Sequence, residues 1–173
     1  STPRGIAVGP DGRIYAADDG NDRVQVFEPD GTFVRQWGGL NSPWGITLSS
    51  TGRVFVTEAY GIQVFESDGT FVRQWGGSGS GDGQFMLPKG VALAPDGRVF
   101  VADTGNHRIQ IFESDGTFVS QFGSQGSLPG QFSLPRGISI SPDGLLYVAD
   151  TGNNRIQVFD LDGTFVRSWS HAG

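Results

Sequence analysis

The chain has 173 residues, 36% of them hydrophobic, which is enough for one domain with a substantial buried core. A net charge of -6 argues against a general binder of nucleic acid or anionic membranes, because such binding needs a concentrated basic surface. No apolar run approaches the roughly 20 residues of a spanning helix, so we expect a soluble protein without a membrane partner. The absence of cysteine leaves its compartment undetermined.

Four similar units follow one another along the chain. Each opens on Pro-x-Gly, with a period of 40 to 47 residues, and each ends in Asp-Gly-Thr-Phe-Val. The units from Pro88 and Pro135 align without a gap over 35 residues and share 20 identities. A period of this length indicates a repeat architecture.

Within each unit, short runs rich in Val, Ile, Phe and Tyr alternate with glycine turns, which predicts β-hairpins and no long helix. In chain order, the units at about 3–39, 43–77, 88–123 and 135–170 are each predicted to form a four-stranded antiparallel meander. In the third unit the predicted strands are 90–94, 98–103, 108–113 and 117–122.

Strands such as 99–102 are apolar on both faces, so one sheet alone cannot bury them. Stacking four-stranded sheets around an axis solves this problem and defines the β-propeller. The fold class is therefore predicted to be all-β, a β-propeller with four four-stranded antiparallel blades in a single unit, 1–173.

The amino-acid sequence of the units resembles that of a known repeat family. The segments 88–92, 95–103, 106–112 and 115–116 of the third unit resemble the NHL repeat, including its Asn106-His107-Arg108. The resemblance covers essentially the whole chain and is specific for the fold, but weak for function. It implies a propeller that usually closes with six blades.

Only four units are present, so ring closure is the main structural question. Three interpretations are open: a self-closed four-bladed ring, a piece of a longer propeller, or a half that pairs with a copy of itself. An open stack would expose the apolar faces of its end blades. We therefore favour a homodimer that forms one eight-bladed ring, with the chain itself as its partner.

The second unit departs from the repeat between its second and third strands. Only Ala59-Tyr60-Gly61 separates Glu58 from Ile62, two residues fewer than in the third unit, so a tighter turn is expected. In the other units an acid ends the second strand and an Arg starts the third. We interpret these as structural loop pairs that form charge-assisted bonds: Asp18 with Arg23, Asp103 with Arg108, and Asp150 with Arg155.

The residue between Pro and Gly varies from unit to unit. It lies at the start of the innermost strand, so the four side chains should converge around one mouth of the central channel. Three cations and an aromatic there predict a ligand site for a phosphate, a carboxylate or an acidic side chain of a protein partner. The four residues are Arg4, Trp44, Lys89 and Arg136.

Aromatic and apolar residues in irregular loops form a second candidate set, as anchors for a partner protein. These residues are Tyr60, Phe85, Met86 and Phe132.

No catalytic constellation is recognisable, and we expect neither an enzyme, a cofactor nor a metal. His107 and His171 lie in a loop and in the C-terminal tail, so they are not expected to share a metal ion.

The leading hypothesis is a non-enzymatic scaffold that binds through its loops and channel mouth. Alternatives are a structural fragment or engineered propeller with no evolved ligand, and a propeller lyase or hydrolase with an axial metal. RNA binding, as in some NHL proteins, needs a basic face that the overall charge does not favour.

Overall fold

The computed structural model describes residues 2–170, which form four separate antiparallel sheets of four strands each. We call these sheets blades 1 to 4 in chain order. Blade 1 contains β1 (Pro3–Val8), β2 (Ile14–Asp18), β3 (Arg23–Phe27) and β4 (Phe33–Trp37). Blade 2 contains β5 (Ile46–Leu48), β6 (Val54–Glu58), β7 (Gly61–Phe65) and β8 (Phe71–Gly76).

The two C-terminal blades repeat this order. Blade 3 contains β9 (Pro88–Leu93), β10 (Val99–Asp103), β11 (Arg108–Phe112) and β12 (Phe118–Phe122). Blade 4 contains β13 (Pro135–Ile140), β14 (Leu146–Asp150), β15 (Arg155–Phe159) and β16 (Phe165–Ser170). Strands pair in chain order in every blade, with the first strand innermost, so the predicted all-β propeller of four blades is confirmed.

The hairpin between the second and third strands has two forms. Blades 1, 3 and 4 close it with a three-residue 3-10 turn, at Asp19–Asn21, Thr104–Asn106 and Thr151–Asn153. In blade 2, Glu58 pairs directly with Gly61, so only two residues form the turn. The tighter turn predicted for this unit is confirmed.

The core lies between the blades, where both faces of the middle sheets are covered. Three buried clusters fill the three junctions between successive blades. Representative fully or almost fully buried residues are Tyr15 at the first junction, Phe55 at the second and Phe100 at the third. Among the described residues, the innermost strands of neighbouring blades contact each other, whereas β13 and β1 do not form such an interface.

A carboxylate fastens each connecting loop to the blade that follows it, and in blades 3 and 4 it is buried. Asp103 is completely buried and accepts four hydrogen bonds, one from the backbone N–H of Met86 at 2.8 Å. The other three come from side chains of Asn106, Arg108 and Gln110, at 2.8 to 3.0 Å. Arg108 in turn donates to backbone carbonyls of the 77–87 linker, so the pair organises the whole loop.

The three loop pairs expected from the sequence are all formed. The Arg Nε to Asp Oδ2 distances are 2.7 to 2.8 Å, in the pairs Asp18–Arg23, Asp103–Arg108 and Asp150–Arg155. Asp150 repeats the arrangement of Asp103, with donors from Ser133, Asn153, Arg155 and Gln157.

Blade 2, which lacks the Arg, solves the same problem with Glu58. Its carboxylate accepts from the backbone N–H of Asn41 and from Gln63, both at 2.9 Å. Glu58 is half-buried, unlike Asp103 and Asp150. The longer side chain and the shorter turn thus keep the loop attachment without an ion pair.

None of the described residues forms a helix with the length and hydrophobicity needed to cross a bilayer.

The carboxylate network generates a stability prediction. Replacing Asp103 by Asn removes the charge that four donors face and leaves buried Arg108 uncompensated, which costs about 3 kcal/mol or more. The matched change Glu58→Gln should cost about 1 kcal/mol, because Glu58 has no buried cationic partner. Urea denaturation measures the free energy of unfolding of both variants. Equal decreases in this free energy would contradict a larger stabilising contribution of the Asp103 network.

Candidate functional site

The four variable residues of the inner strands meet at one end of the channel. The guanidinium carbon of Arg4 lies 4.4 Å from the ring centroid of Trp44, and Nζ of Lys89 lies 4.0 Å from the same centroid. Arg136 lies near enough to contribute to the charge environment of Lys89. The predicted convergence of these side chains is therefore present in the structure, and we call the four residues the cationic mouth.

Glycine makes this convergence possible. Each mouth residue is followed by a glycine, and at three blades a Cβ atom there would collide with a backbone carbonyl of the next inner strand. The colliding pairs are Gly5 with Trp44, Gly45 with Lys89, and Gly90 with Arg136. Absence of a side chain lets the inner strands pack closely, which brings the mouth residues within contact distance.

Electrostatic crowding at the mouth perturbs Lys89. Partial burial, followed by the positive charges of Arg136 and Arg4, lowers the pKa of Lys89 below its ordinary value of 10.5. Arg4 is partly neutralised because its Nε donates to Asp19 at 3.1 Å. Asp19 replaces the Thr found at the matching position of blades 3 and 4, and its place at the mouth was not predicted from the sequence.

Two cavities adjoin the cationic mouth. One of about 190 Å³ lies between the inner strands and is lined in part by Arg4, Trp44 and Arg136. The other, of about 440 Å³, is lined in part by Trp44, Lys89 and Tyr60. We call the second one the mouth cavity, because it joins two aromatic rings to a cation.

The shortened turn of blade 2 explains where the mouth cavity lies. In blade 1, Asp22 accepts a hydrogen bond from the backbone N–H of Ser42 at 2.8 Å, and in blade 3, His107 Nδ1 accepts from Leu134 at 3.0 Å. Leu87 is the counterpart of Ser42 and Leu134. Among the described residues, the short turn of blade 2 supplies no side chain that accepts a hydrogen bond from the backbone N–H of Leu87, and Leu87 lines the cavity. The two-residue deletion thus leaves open a space that the longer loops occupy.

The loop residues predicted as partner anchors divide into two groups. Tyr60 and Met86 are exposed, at 50% and 46% of their surface, and Tyr60 borders the mouth cavity. Phe85 and Phe132 are completely buried and pack against the rings of Phe112 and Phe159. Their burial conflicts with an anchor role, because a partner cannot reach them without unfolding the linker.

A cavity of about 490 Å³ lies among the turns that follow the inner strands, lined in part by Leu48, Phe55, Leu93 and Ile140. Its lining carries one charged side chain, Arg53, together with the hydroxyl groups of four Ser and one Thr. It therefore has a single cation, in contrast to the cluster of cations at the mouth.

The histidines and carboxylates of the described residues do not assemble into a metal site. Among residues 2–170, no cluster of three or more His, Cys, Asp or Glu side chains could hold a metal ion. His107 is committed to the backbone of Leu134. His171 lies outside the described residues.

Solved structures share this architecture. Virginiamycin B lyase from Staphylococcus aureus superposes with a TM-score of 0.78 at 18% identity, over 99% of this chain and 56% of that chain. A chain of a nidogen/laminin complex gives 0.77 at 22% identity, over 99% of this chain and 64% of that one. A gluconolactonase from Xanthomonas campestris gives 0.72 at 22% identity, over 95% and 60%.

This chain thus spans about 56 to 64% of the length of these three structures. At identities below 25% the likeness concerns the fold alone. The amino-acid sequence matches no curated relative.

Sheet order, blade stacking and these likenesses define the class: a β-propeller built from four-stranded repeats. Three of the four repeats match the sequence pattern of the NHL repeat, at residues 1–27, 85–112 and 132–159. The three matched segments fall in blades 1, 3 and 4. Blade 2, with its shortened turn, is the unmatched one.

Lys89 is the only lysine in the chain, so its titration can be followed directly. With selectively labelled lysine, nuclear magnetic resonance should show a pKa below 10.5. The Arg136→Gln variant should raise this pKa by removing a nearby positive charge. Arg53→Gln, at an exposed cation paired with Glu66, is the control and should leave it unchanged. An unchanged pKa in Arg136→Gln would contradict the electrostatic coupling at the mouth.

Proposed function

We propose that this chain is a non-enzymatic binding module that holds an anionic group at the cationic mouth, beside the flat apolar surfaces of Trp44 and Tyr60. The observation that carries the proposal is the stacking of Arg4 and Lys89 on one indole ring at the edge of the mouth cavity. Cations held on an aromatic face are fixed in position before a ligand arrives, which reduces the entropy cost of binding.

The charges at the mouth favour an anion as ligand. Burial, followed by the positive charges of Arg136 and Arg4, lowers the pKa of Lys89, and an adjacent carboxylate or phosphate would stabilise its charged form against both effects. Arg4 and Arg136 add planar guanidinium groups, which suit two-point hydrogen bonding to an oxyanion. The rest of the protein is acidic overall, so the attraction is local to the mouth.

The aromatic rings favour a ligand with a planar or apolar part. The mouth cavity has Trp44 and Tyr60 on its lining, and Leu87 beside them is also exposed. An aromatic carboxylate, or an acidic side chain next to an aromatic one on a partner protein, satisfies both features. In the second case the exposed Met86 adds apolar contact area near the same loops.

The proposed module also completes its ring by self-association, for which the open faces of blades 1 and 4 supply the surfaces. The alternative in which the chain is a fragment or engineered assembly without an evolved ligand shares this feature. Binding at the mouth distinguishes the two.

Two of the similar structures are described as a lyase and a gluconolactonase, which keeps a propeller lyase or hydrolase as a second candidate. The similarity concerns the fold, and within residues 2–170 no group of three or more His, Cys, Asp or Glu side chains could hold an axial metal ion. Stoichiometric metal in protein purified without chelator would favour this candidate over a binding module.

The binding proposal is tested with benzoate as probe and neutral benzamide as its uncharged isostere. Benzoate should bind, shift the indole resonances of Trp44 and raise the pKa of Lys89, because an adjacent anion stabilises the charged amine. Benzamide should bind at least tenfold more weakly. Nuclear magnetic resonance titration measures both.

Two triple variants separate the mouth from net charge. Arg4→Gln with Lys89→Gln and Arg136→Gln should abolish benzoate binding. Arg35→Gln with Arg53→Gln and Arg73→Gln removes the same number of positive charges outside the mouth and should retain it. Equal affinity of wild type and the mouth variant, or equal binding of benzoate and benzamide, would contradict the anion site.

A further inference from the structure

One interblade contact recurs at all three junctions of the chain. The indole of Trp37, at the end of β4, lies 5.7 Å from the ring of Phe65 in the next blade, measured between centroids. It also covers the turn at Gly69, where a Cβ atom would lie 2.8 Å from the indole. The corresponding triplets at the other two junctions are Trp75, Phe112 and Gly116, and Phe122, Phe159 and Gly163.

The two end blades each carry one half of this contact. Trp169, at the matching position of blade 4, is 47% exposed, and its one aromatic partner within residues 2–170 is Tyr147 of its own blade. In blade 1, the one aromatic ring paired with Phe27 among the described residues is that of Phe33, also in its own blade. A Cβ atom at Gly31, the counterpart of Gly69, would meet nothing within 4 Å.

The inner strands show the same division. Ile6 and Val8 are 71% and 69% exposed, although their counterparts in blade 3 pack against blade 2, where Val91 is buried and Leu93 is partly buried. At the opposite end, Gly137 faces no neighbouring carbonyl, whereas Gly90 lies against Arg136.

A side-chain hydrogen bond across the junction follows this pattern. Thr104 Oγ1 donates to the backbone carbonyl of Pro135 in the next blade at 2.6 Å. Its counterpart in blade 4, Thr151, is exposed and has only the Ala149 carbonyl of its own strand as acceptor, at 3.4 Å.

We infer that the self-association proposed above uses one head-to-tail interface, in which blade 4 of one copy packs on blade 1 of a second copy. In this interface Trp169 covers Phe27 and Gly31 of the second copy, and Thr151 donates to the carbonyl of its Pro3. The inference rests on the proposed self-association and does not require anion binding.

The three internal junctions show that a blade of the same repeat fits each open face, and a second copy of the chain supplies such a blade to both faces. Each one joins a face like that of blade 4 to a face like that of blade 1, through the same residue types at the same register. The two open faces are therefore complementary to each other but not each to itself. A contact of this kind is heterologous, and two copies related by a rotation about the channel close it into a ring of eight blades.

The surfaces that would be covered expose unusually large apolar side chains to solvent. Ile6, Val8 and Trp169 are large apolar side chains with 47 to 71% of their surface exposed. Their burial at two junctions per ring removes apolar area from water at about 25 cal/mol per Å². Ring closure would thus bury the two end faces in the same way as the six internal faces are already buried between successive blades.

The experiment compares two single variants with a control. Ile6→Glu changes the blade 1 face, Trp169→Glu changes the blade 4 face, and Val119→Glu places the same charge on exposed β12 in an internal blade. Sedimentation velocity at tens of micromolar should give twice 18.4 kDa for wild type and Val119→Glu, and 18.4 kDa for the other two. Circular dichroism checks that each variant keeps its strand content.

Mixing Ile6→Glu with Trp169→Glu provides the decisive arm. In a head-to-tail ring, one junction of the mixed pair combines two unaltered faces, so the mixture should regain a dimer at a reduced affinity. A face-to-face dimer through blade 1 alone would leave Trp169→Glu dimeric and overturn the inference, while the self-association would stand. A monomeric wild type would overturn both, and a trimer or open filament would overturn closure by two copies.

Discussion

A sheet that is apolar on both faces needs a neighbour on each, and this constraint governs the molecule. The four blades have eight faces, and the three buried clusters cover six of them. Stability therefore comes from the junctions more than from any one blade, as in other stacked repeats. The two uncovered faces belong to blades 1 and 4, because these two blades do not pack against each other within the chain.

The junctions also determine what the protein can present to a ligand. The glycines of the inner strands permit a backbone approach that no other residue allows, and this approach fixes the radius of the channel end. The residue before each glycine points into the space that remains. It takes no part in the junction clusters, so it can vary, and it does so as Arg4, Trp44, Lys89 and Arg136.

Most of the fold could be predicted from the sequence because the pattern of each strand and turn recurs in several units. The loop pairs were predictable for the same reason, since an acid and an Arg recur at a fixed separation on two adjacent strands. The burial of Phe85 and Phe132 was also encoded. Both stand in a Gly-Gln-Phe segment that recurs in the linkers 77–87 and 124–134, and this repetition indicates an architectural role.

Other features depend on distances between repeats, which no single unit contains. The mouth cavity beside Tyr60 follows from how blades 1, 2 and 3 are placed around the channel. The deletion in blade 2 was visible in the sequence, but the space that it opens was not. That space appears only when Leu87 of the next blade is positioned opposite the short turn.

The cationic mouth and the open faces are linked through charge. In the proposed ring, Arg136 of one copy becomes the neighbour of Arg4 of the next, as Arg4 is already the neighbour of Trp44. This junction lacks an aromatic spacer between its two guanidinium groups, so repulsion opposes closure. An anion at the mouth lowers that repulsion in the ring more than in the separate chains. Because a ligand stabilises the state that binds it more tightly, the same anion should favour assembly, and assembly should raise affinity for the anion by the same factor.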